Sequence, residues 1–220
     1  MMQRHVIKGL YAITPDSADT PELLRKVRLA LQGGARVLQY RNKTADAVLH
    51  LQQARALRQL TREFAAVFIV NDDAQLAAEV DADGVHLGGE DGSVAAARAL
   101  LGETKIIGVS CYNRPPLAVE AVQAGADYVA FGAFFPSSVK PEAVQAEPEL
   151  LVWARRELAV PLVAIGGITH DNGATLLRSG ADALAVISAV FDAEDVQSSA
   201  QKFSTLISKA QHDISQSNVI

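Results

Sequence analysis

Apolar residues follow two alternating rhythms along the chain. Short runs rich in aliphatic, often β-branched, and aromatic residues occupy 10–13, 37–40, 67–70, 84–87, 106–109, 128–131, 162–165 and 184–187. Nearly every position within them is apolar, the pattern of a parallel strand buried on both faces rather than of a strand with one wet side. Between the runs the spacing becomes that of a helix stripe, as in Leu23, Leu24, Val27 and Leu31 and then Val48, Leu49, Leu51, Leu57 and Leu60. Such stripes predict amphipathic crossover helices laid over a sheet.

Eight strand runs alternating with helices predict an α/β chain folded as a single (β/α)8 TIM barrel. A weak internal repeat supports the count. Gly34-Ala35-Arg36-Val37, Asp83-Gly84-Val85, Gly125-Ala126-Asp127-Tyr128-Val129 and Gly180-Ala181-Asp182-Ala183-Leu184 each stand just before a strand. A glycine there is expected to take the left-handed conformation that closes the preceding helix. The competing fold is an open doubly wound sheet, which usually carries a glycine fingerprint after its first strand. Here Ile13 is followed by Thr14-Pro15-Asp16 instead. The barrel is expected over residues 1–210, with 211–220, rich in Ser and Gln, forming a frayed polar tail.

A chain of 220 residues with 49% hydrophobic and 20% charged residues supports one buried core. Its net charge of −5 and lack of a long basic run argue against nucleic acid as a partner. Cys111 is the single cysteine, which rules out an internal disulfide and suits a reducing compartment. Neither a signal-peptide core nor a membrane-length apolar window is evident. The expectation is a cytoplasmic protein without a membrane partner.

In a barrel of this kind the active residues belong at the carboxyl ends of the strands. The second run leads into Gln39-Tyr40-Arg41-Asn42-Lys43, where alternation puts Gln39, Arg41 and Lys43 on one side. Guanidinium and ammonium groups there suit phosphate oxygens, although a solvated loop carries such charges too. The third run ends in Asn71-Asp72-Asp73, and His86-Leu87-Gly88-Gly89-Glu90-Asp91 closes the fourth. Asp72 and Asp91 thus come from adjacent strand ends, as two carboxylates sharing Mg2+ would. Asp73 is expected to be a helix N-cap, and His86 a hydrogen-bonded barrel residue rather than a ligand.

Ser110 ends the fifth run without a histidine or carboxylate in a nucleophile pattern, so it is expected to hydrogen-bond substrate. Its neighbour Cys111 is expected to pack. The long connection 132–147 contains Ser137, Ser138, Val139 and Lys140, a composition that suits a lid closing over a phosphorylated ligand. Gly166-Gly167 after the seventh run, with Ile187 and Ser188 at the eighth, sits where barrels bind phosphate through backbone N–H groups. Two anion sites imply two phosphorylated small-molecule substrates, or one substrate phosphorylated twice.

In this order, Gln39 to Lys43, Val70 to Asp73, Asp83 to Gly88 with Asp91, Gly108 to Ser110, Ala164 to Ile168 and Val186 to Ser188 resemble the thiamine-phosphate synthase family. The resemblance runs from about Gly9 to Phe203. It implies a barrel that joins a hydroxymethyl-pyrimidine pyrophosphate to a hydroxyethyl-thiazole phosphate, releasing pyrophosphate. It further implies that Gln39, Arg41, Lys43, Asn71 and Lys140 hold the pyrimidine pyrophosphate, with Ser110 near the pyrimidine. Asp72 and Asp91 would bind Mg2+, Gly167, Ile187 and Ser188 would receive the thiazole phosphate, and the enzyme would be a homodimer.

Two departures from the family pattern are present. Ser137, Ser138 and Val139 stand where the family lid carries threonines, and Gly89 replaces a common glutamine. A thiazole tautomerase-like barrel is the nearest rival, but that relative generally lacks the pyrophosphate and metal residues. A non-catalytic phosphate-binding barrel is the rival of another class.

Overall fold

The computed structural model describes residues 7–88, 92–136 and 144–217. Its elements run β1 (Gly9–Ile13), α1 (Thr20–Gln32), β2 (Val37–Tyr40), α2 (Ala47–Glu63), β3 (Val67–Asn71), α3 (Ala74–Glu79), β4 (Gly84–Leu87), α4 (Val94–Leu101) and β5 (Ile106–Tyr112). They continue with α5 (Pro115–Gln123), β6 (Tyr128–Phe131), α6 (Glu149–Glu157), β7 (Leu162–Ile165), α7 (Gly173–Arg178), β8 (Ala183–Val186), α8 (Ser188–Phe191) and α9 (Val196–Ser217). Among the described residues the eight strands close in sequence order into one barrel, and parallel pairing of β1 with β8 completes the ring. This is the (β/α)8 architecture expected from the apolar runs.

Strand alternation divides the apolar residues into two cores. Tyr11, Ile13, Val37, Val67, Ile69, Tyr128, Val163 and Ala185 point inward and fill the barrel. Their neighbours Leu10, Leu38, Phe68, Val85, Val129 and Leu184 point outward and pack under the helices. Helix starts are fixed locally. Asp19, Asp46, Asp73 and Ser93 each accept a hydrogen bond from the backbone N–H three residues on, which satisfies a donor the helix itself leaves unpaired. Asp73 is therefore the N-cap it was expected to be.

The internal repeat acquires a physical meaning at the strand starts. Asp83 accepts from the Phe68 N–H and is gripped by Arg58 at 2.8 Å. Asp127 accepts from the Ile107 N–H and pairs with Arg98 at 2.6 Å, while Asp182 accepts from the Leu162 N–H and pairs with Arg155 at 2.5 Å. Each aspartate thus ties the start of one strand to the strand before it and to the helix that precedes both.

The glycines of the repeat divide differently from expectation. Gly34, Gly125 and Gly180 have positive φ, but Gly84 belongs to β4. A Cβ there would lie 2.1 Å from the Ile106 carbonyl oxygen, so close packing of β4 on β5 requires it, and Asp81 takes the left-handed turn instead. Of the tail expected to fray, 211–217 form the end of α9, and 218–220 lie outside the described residues. Beyond β6, the two described legs of the long connection are tied by hydrogen bonds between Ala133 and both Val144 and Ala146.

Candidate active site

The inward register that fills the barrel with aliphatic side chains turns polar at its carboxyl end. Gln39 on β2, Asn71 on β3, His86 on β4 and Ser110 on β5 all line one cavity of about 510 Å³. Gln39 pairs in register with Ile69, Asn71 with His86, and His86 with Gly108, so these side chains form a wall across four adjacent strands.

Beyond β2 the chain is held from both sides. The Thr14 hydroxyl donates to the Arg41 carbonyl and accepts from its N–H, both at 2.8 Å. The buried Asn42 turns away from the cavity and donates to Ser17 and to the α2 residue Gln53. Arg41 is thereby aimed inward, and Asp16 steadies its guanidinium at 2.9 Å while accepting from the Lys43 N–H at 2.8 Å. Sequence alternation put Gln39, Arg41 and Lys43 on one side, but β2 ends at Tyr40. Gln39 and Arg41 line the cavity, whereas Lys43 stands on the rim with its ammonium 3.9 Å from Asp72.

Under the polar wall lies a buried pair of phenols that sequence reasoning did not single out. Tyr11 and Tyr128 meet hydroxyl to hydroxyl at 2.8 Å, and burial pushes both phenols above their ordinary range. His86 bonds Tyr128 through Nδ1 at 2.9 Å and Ser110 through Nε2 at 2.8 Å, as befits a hydrogen-bonded barrel histidine. Cys111 faces outward, fully buried, its thiol pushed up to about 12 by that burial.

Across the cavity stand Gly166, Gly167, Ile187 and Ser188. Gly167 has φ 60°, and a Cβ on it would meet the Pro136 carbonyl oxygen at 2.4 Å. Glycine therefore lets the β7 loop lie directly against the described start of the long connection. Ile187, expected to end the last strand, instead precedes α8 as its N-cap residue.

Asp72, with φ 64°, turns the backbone out of β3 at the rim, where its carboxylate is partly exposed. Both ring nitrogens of His86 are engaged within the barrel, which leaves oxygen donors for a cation beside Asp72. That donor chemistry fits Mg2+, a hard ion that keeps several waters. Asp91, like Ser137, Ser138, Val139 and Lys140, lies outside the described residues. Among the described residues no group of three or more His, Cys, Asp or Glu is placed to hold a metal by itself.

A closed parallel barrel with cationic, amide and hydroxyl groups converging at its carboxyl end defines a barrel enzyme for anionic small molecules. A family model described as thiamine monophosphate synthase matches residues 10–190, and the chain belongs to that family of transferases. It is 56% identical to a thiamine-phosphate synthase of Aromatoleum aromaticum over 91% of this chain and 96% of that one. With the thiamine-phosphate synthase of Methylobacillus flagellatus the identity is 55%, over 93% and 99% of the two chains. The solved thiamine phosphate pyrophosphorylase of Pyrococcus furiosus superposes with a TM-score of 0.83 at 38% identity, covering 92% of this chain and 96% of that one. Orotidine 5'-phosphate decarboxylase of Pyrococcus horikoshii, at 16% identity and a TM-score of 0.65, over 90% of this chain and 99% of that one, shares the fold alone.

Proposed function

We propose that this chain joins a hydroxymethyl-pyrimidine pyrophosphate to a hydroxyethyl-thiazole phosphate, yielding thiamine phosphate and pyrophosphate. The observation that carries the reading is the convergence of Gln39, Arg41, Asn71 and Ser110 on one cavity with Gly167, Ile187 and Ser188 opposite. A wall of polar side chains facing a glycine loop whose backbone can be approached closely suits two phosphorylated ligands meeting between them.

The pyrimidine methylene carbon–oxygen bond breaks first, and its electron pair leaves with pyrophosphate. The thiazole nitrogen lone pair then forms the new carbon–nitrogen bond. Such a reaction asks the protein for alignment and for stabilisation of the departing charge, with no enzyme nucleophile. Arg41, Lys43 and Asn71 hold the pyrophosphate, Arg41 being preset by Asp16 and Thr14. Gln39 and Ser110 face the pyrimidine. Gly167, Ile187 and Ser188 take the thiazole phosphate, the glycine backbone allowing close approach.

Lys140 is assigned to the pyrophosphate, and Asp91 to the metal beside Asp72, on the family resemblance; Ser137 is assigned beside Lys140 for its hydroxyl, although the family lid carries threonine there. Bound Mg2+ would neutralise charge accumulating on the leaving group. No described helix is long and apolar enough to cross a membrane; a cytoplasmic homodimer is part of the proposal. The test supplies both substrates and Mg2+ and follows thiamine phosphate. Product that EDTA abolishes is expected, and no product with both substrates present would overturn the assignment.

A further inference from the structure

Five side chains from five strands are joined in a single line beneath the cavity. Gln39 Nε2 donates to the Tyr11 hydroxyl at 2.8 Å, and Tyr11 meets the Tyr128 hydroxyl at 2.8 Å. Tyr128 meets His86 Nδ1 at 2.9 Å, and His86 Nε2 meets Ser110 Oγ at 2.8 Å. The line passes through β2, β1, β6, β4 and β5 and both begins and ends at the cavity wall.

Its direction follows from counting hydrogens. A phenol has one to donate, and burial holds Tyr11 and Tyr128 in the neutral form that keeps it. Because Tyr11 accepts from Gln39, its own hydrogen goes to Tyr128. Tyr128, accepting there, gives its hydrogen to His86 Nδ1. A neutral imidazole that accepts at Nδ1 carries its hydrogen on Nε2 and donates it to Ser110. With that lone pair engaged, the Ser110 hydroxyl hydrogen turns toward the cavity. Reversed polarity would present only lone pairs at Ser110, which repel a phosphate oxygen or a ring nitrogen.

The packing is built around this line. The Tyr128 ring lies against Gly108, where a Cβ would fall 1.9 Å from the ring, so the glycine in β5 makes the phenol's position possible. We propose that Tyr11, Tyr128 and His86 are a one-way hydrogen-bond relay that fixes Ser110 as a donor to a lone-pair acceptor of the pyrimidine pyrophosphate. The three are positioning residues, and the identity of the acceptor's parent molecule rests on the function proposed above. Linked hydrogen bonds polarise one another in a dry interior, so loss of one member is felt at the far end.

The test combines a spectrum with a mutant cycle on the full chain. Nitrogen-15 NMR of the protein labelled at its five histidines, with His86 assigned by its loss in His86→Asn, reports which ring nitrogen bears the hydrogen. The neutral Nε2–H form is expected, and either the Nδ1–H form or a doubly protonated ring would overturn the relay. Tyr128→Phe keeps the ring on Gly108 and removes the hydroxyl. It and Ser110→Ala are each expected to lower kcat/KM for the pyrimidine pyrophosphate about tenfold, the scale of one hydrogen bond. The double variant should lose no more than either alone, whereas losses that multiply toward about a hundredfold would make the two residues independent and defeat the proposal. Tyr128→Phe leaves Tyr11 and His86 each short of one partner and is expected to unfold at a somewhat lower temperature; a native circular-dichroism spectrum and a cooperative transition well above the assay temperature separate the kinetic effect from damage to the fold. Should wild-type protein turn over neither substrate, the assignment of function fails and the His86 spectrum alone decides the relay.

Discussion

Asp16 Oδ1 stands 2.9 Å from Arg41 Nη1 and accepts the Lys43 N–H as well, so one exposed-edge carboxylate orders the cationic rim of β2. An arginine held in this way loses little freedom when it meets an anion. Asp16→Ala is expected to lower kcat/KM for the pyrimidine pyrophosphate by about tenfold to a hundredfold, the range of a hydrogen bond to a charged group. Asp16→Asn, which retains an acceptor oxygen, should lose less. Equal losses in steady-state kinetics would show that only the negative charge counts.

The left-handed backbone of Asp72 makes a clean test of its carboxylate possible. Asparagine tolerates φ 64° as readily as aspartate does, so Asp72→Asn removes charge without straining the turn. The expected outcome is a kcat reduced by about a hundredfold and a higher Mg2+ concentration at half-maximal rate, in keeping with loss of a charged ligand. A magnesium titration superimposable on that of wild type would remove Asp72 from the metal site.

The strands were legible because parallel strands buried on both sides leave unbroken apolar runs: every strand starts within one residue of its run, and only β5, which continues to Tyr112, ends more than one residue beyond it. Residues facing the cavity from strand ends, such as Gln39, Asn71 and Ser110, were legible as polar interruptions of those runs. Asp16 was not, because Thr-Pro-Asp after a strand reads as an ordinary turn. Tyr11 and Tyr128 were hidden by their apolar rings, since nothing local distinguishes a phenol used for packing from one used for its hydroxyl. The aspartates of the repeat were visible, but their arginine partners lie 25, 29 and 27 residues earlier. That recurring Arg-to-Asp separation is the signal that would have exposed the pairing.

Gly167 combines φ 60° with a Cβ position blocked by the Pro136 and Phe135 carbonyl oxygens at 2.4 and 2.6 Å. Gly167→Ala must move the β7 loop or the segment above it, at a cost of about 1–3 kcal/mol in strain. Since this loop is assigned to the thiazole phosphate, KM for that substrate is expected to rise about tenfold or more while KM for the pyrimidine pyrophosphate changes little. A rise confined to the pyrimidine substrate would reverse the assignment of the two walls.

Cys111 provides a handle on pH. Burial raises its thiol from an ordinary 9.0 to about 12, so the folded chain disfavours the thiolate. The unfolded chain ionises first, and the contribution of this group to stability is complete below pH 9 and is lost progressively as pH climbs from 9 toward 12. At pH 8 iodoacetamide is expected to leave the folded protein unmodified and to label it once denaturant is added, as read by mass spectrometry. Rapid labelling of the folded chain would place the thiol in solvent.

The carboxylates of Asp83, Asp127 and Asp182 fasten the cylinder at its lower lip, where strands begin. Everything that greets a ligand belongs to the opposite lip. What the chain binds is thereby set apart from what closes it, and a substitution at the upper lip leaves the stave work below untouched.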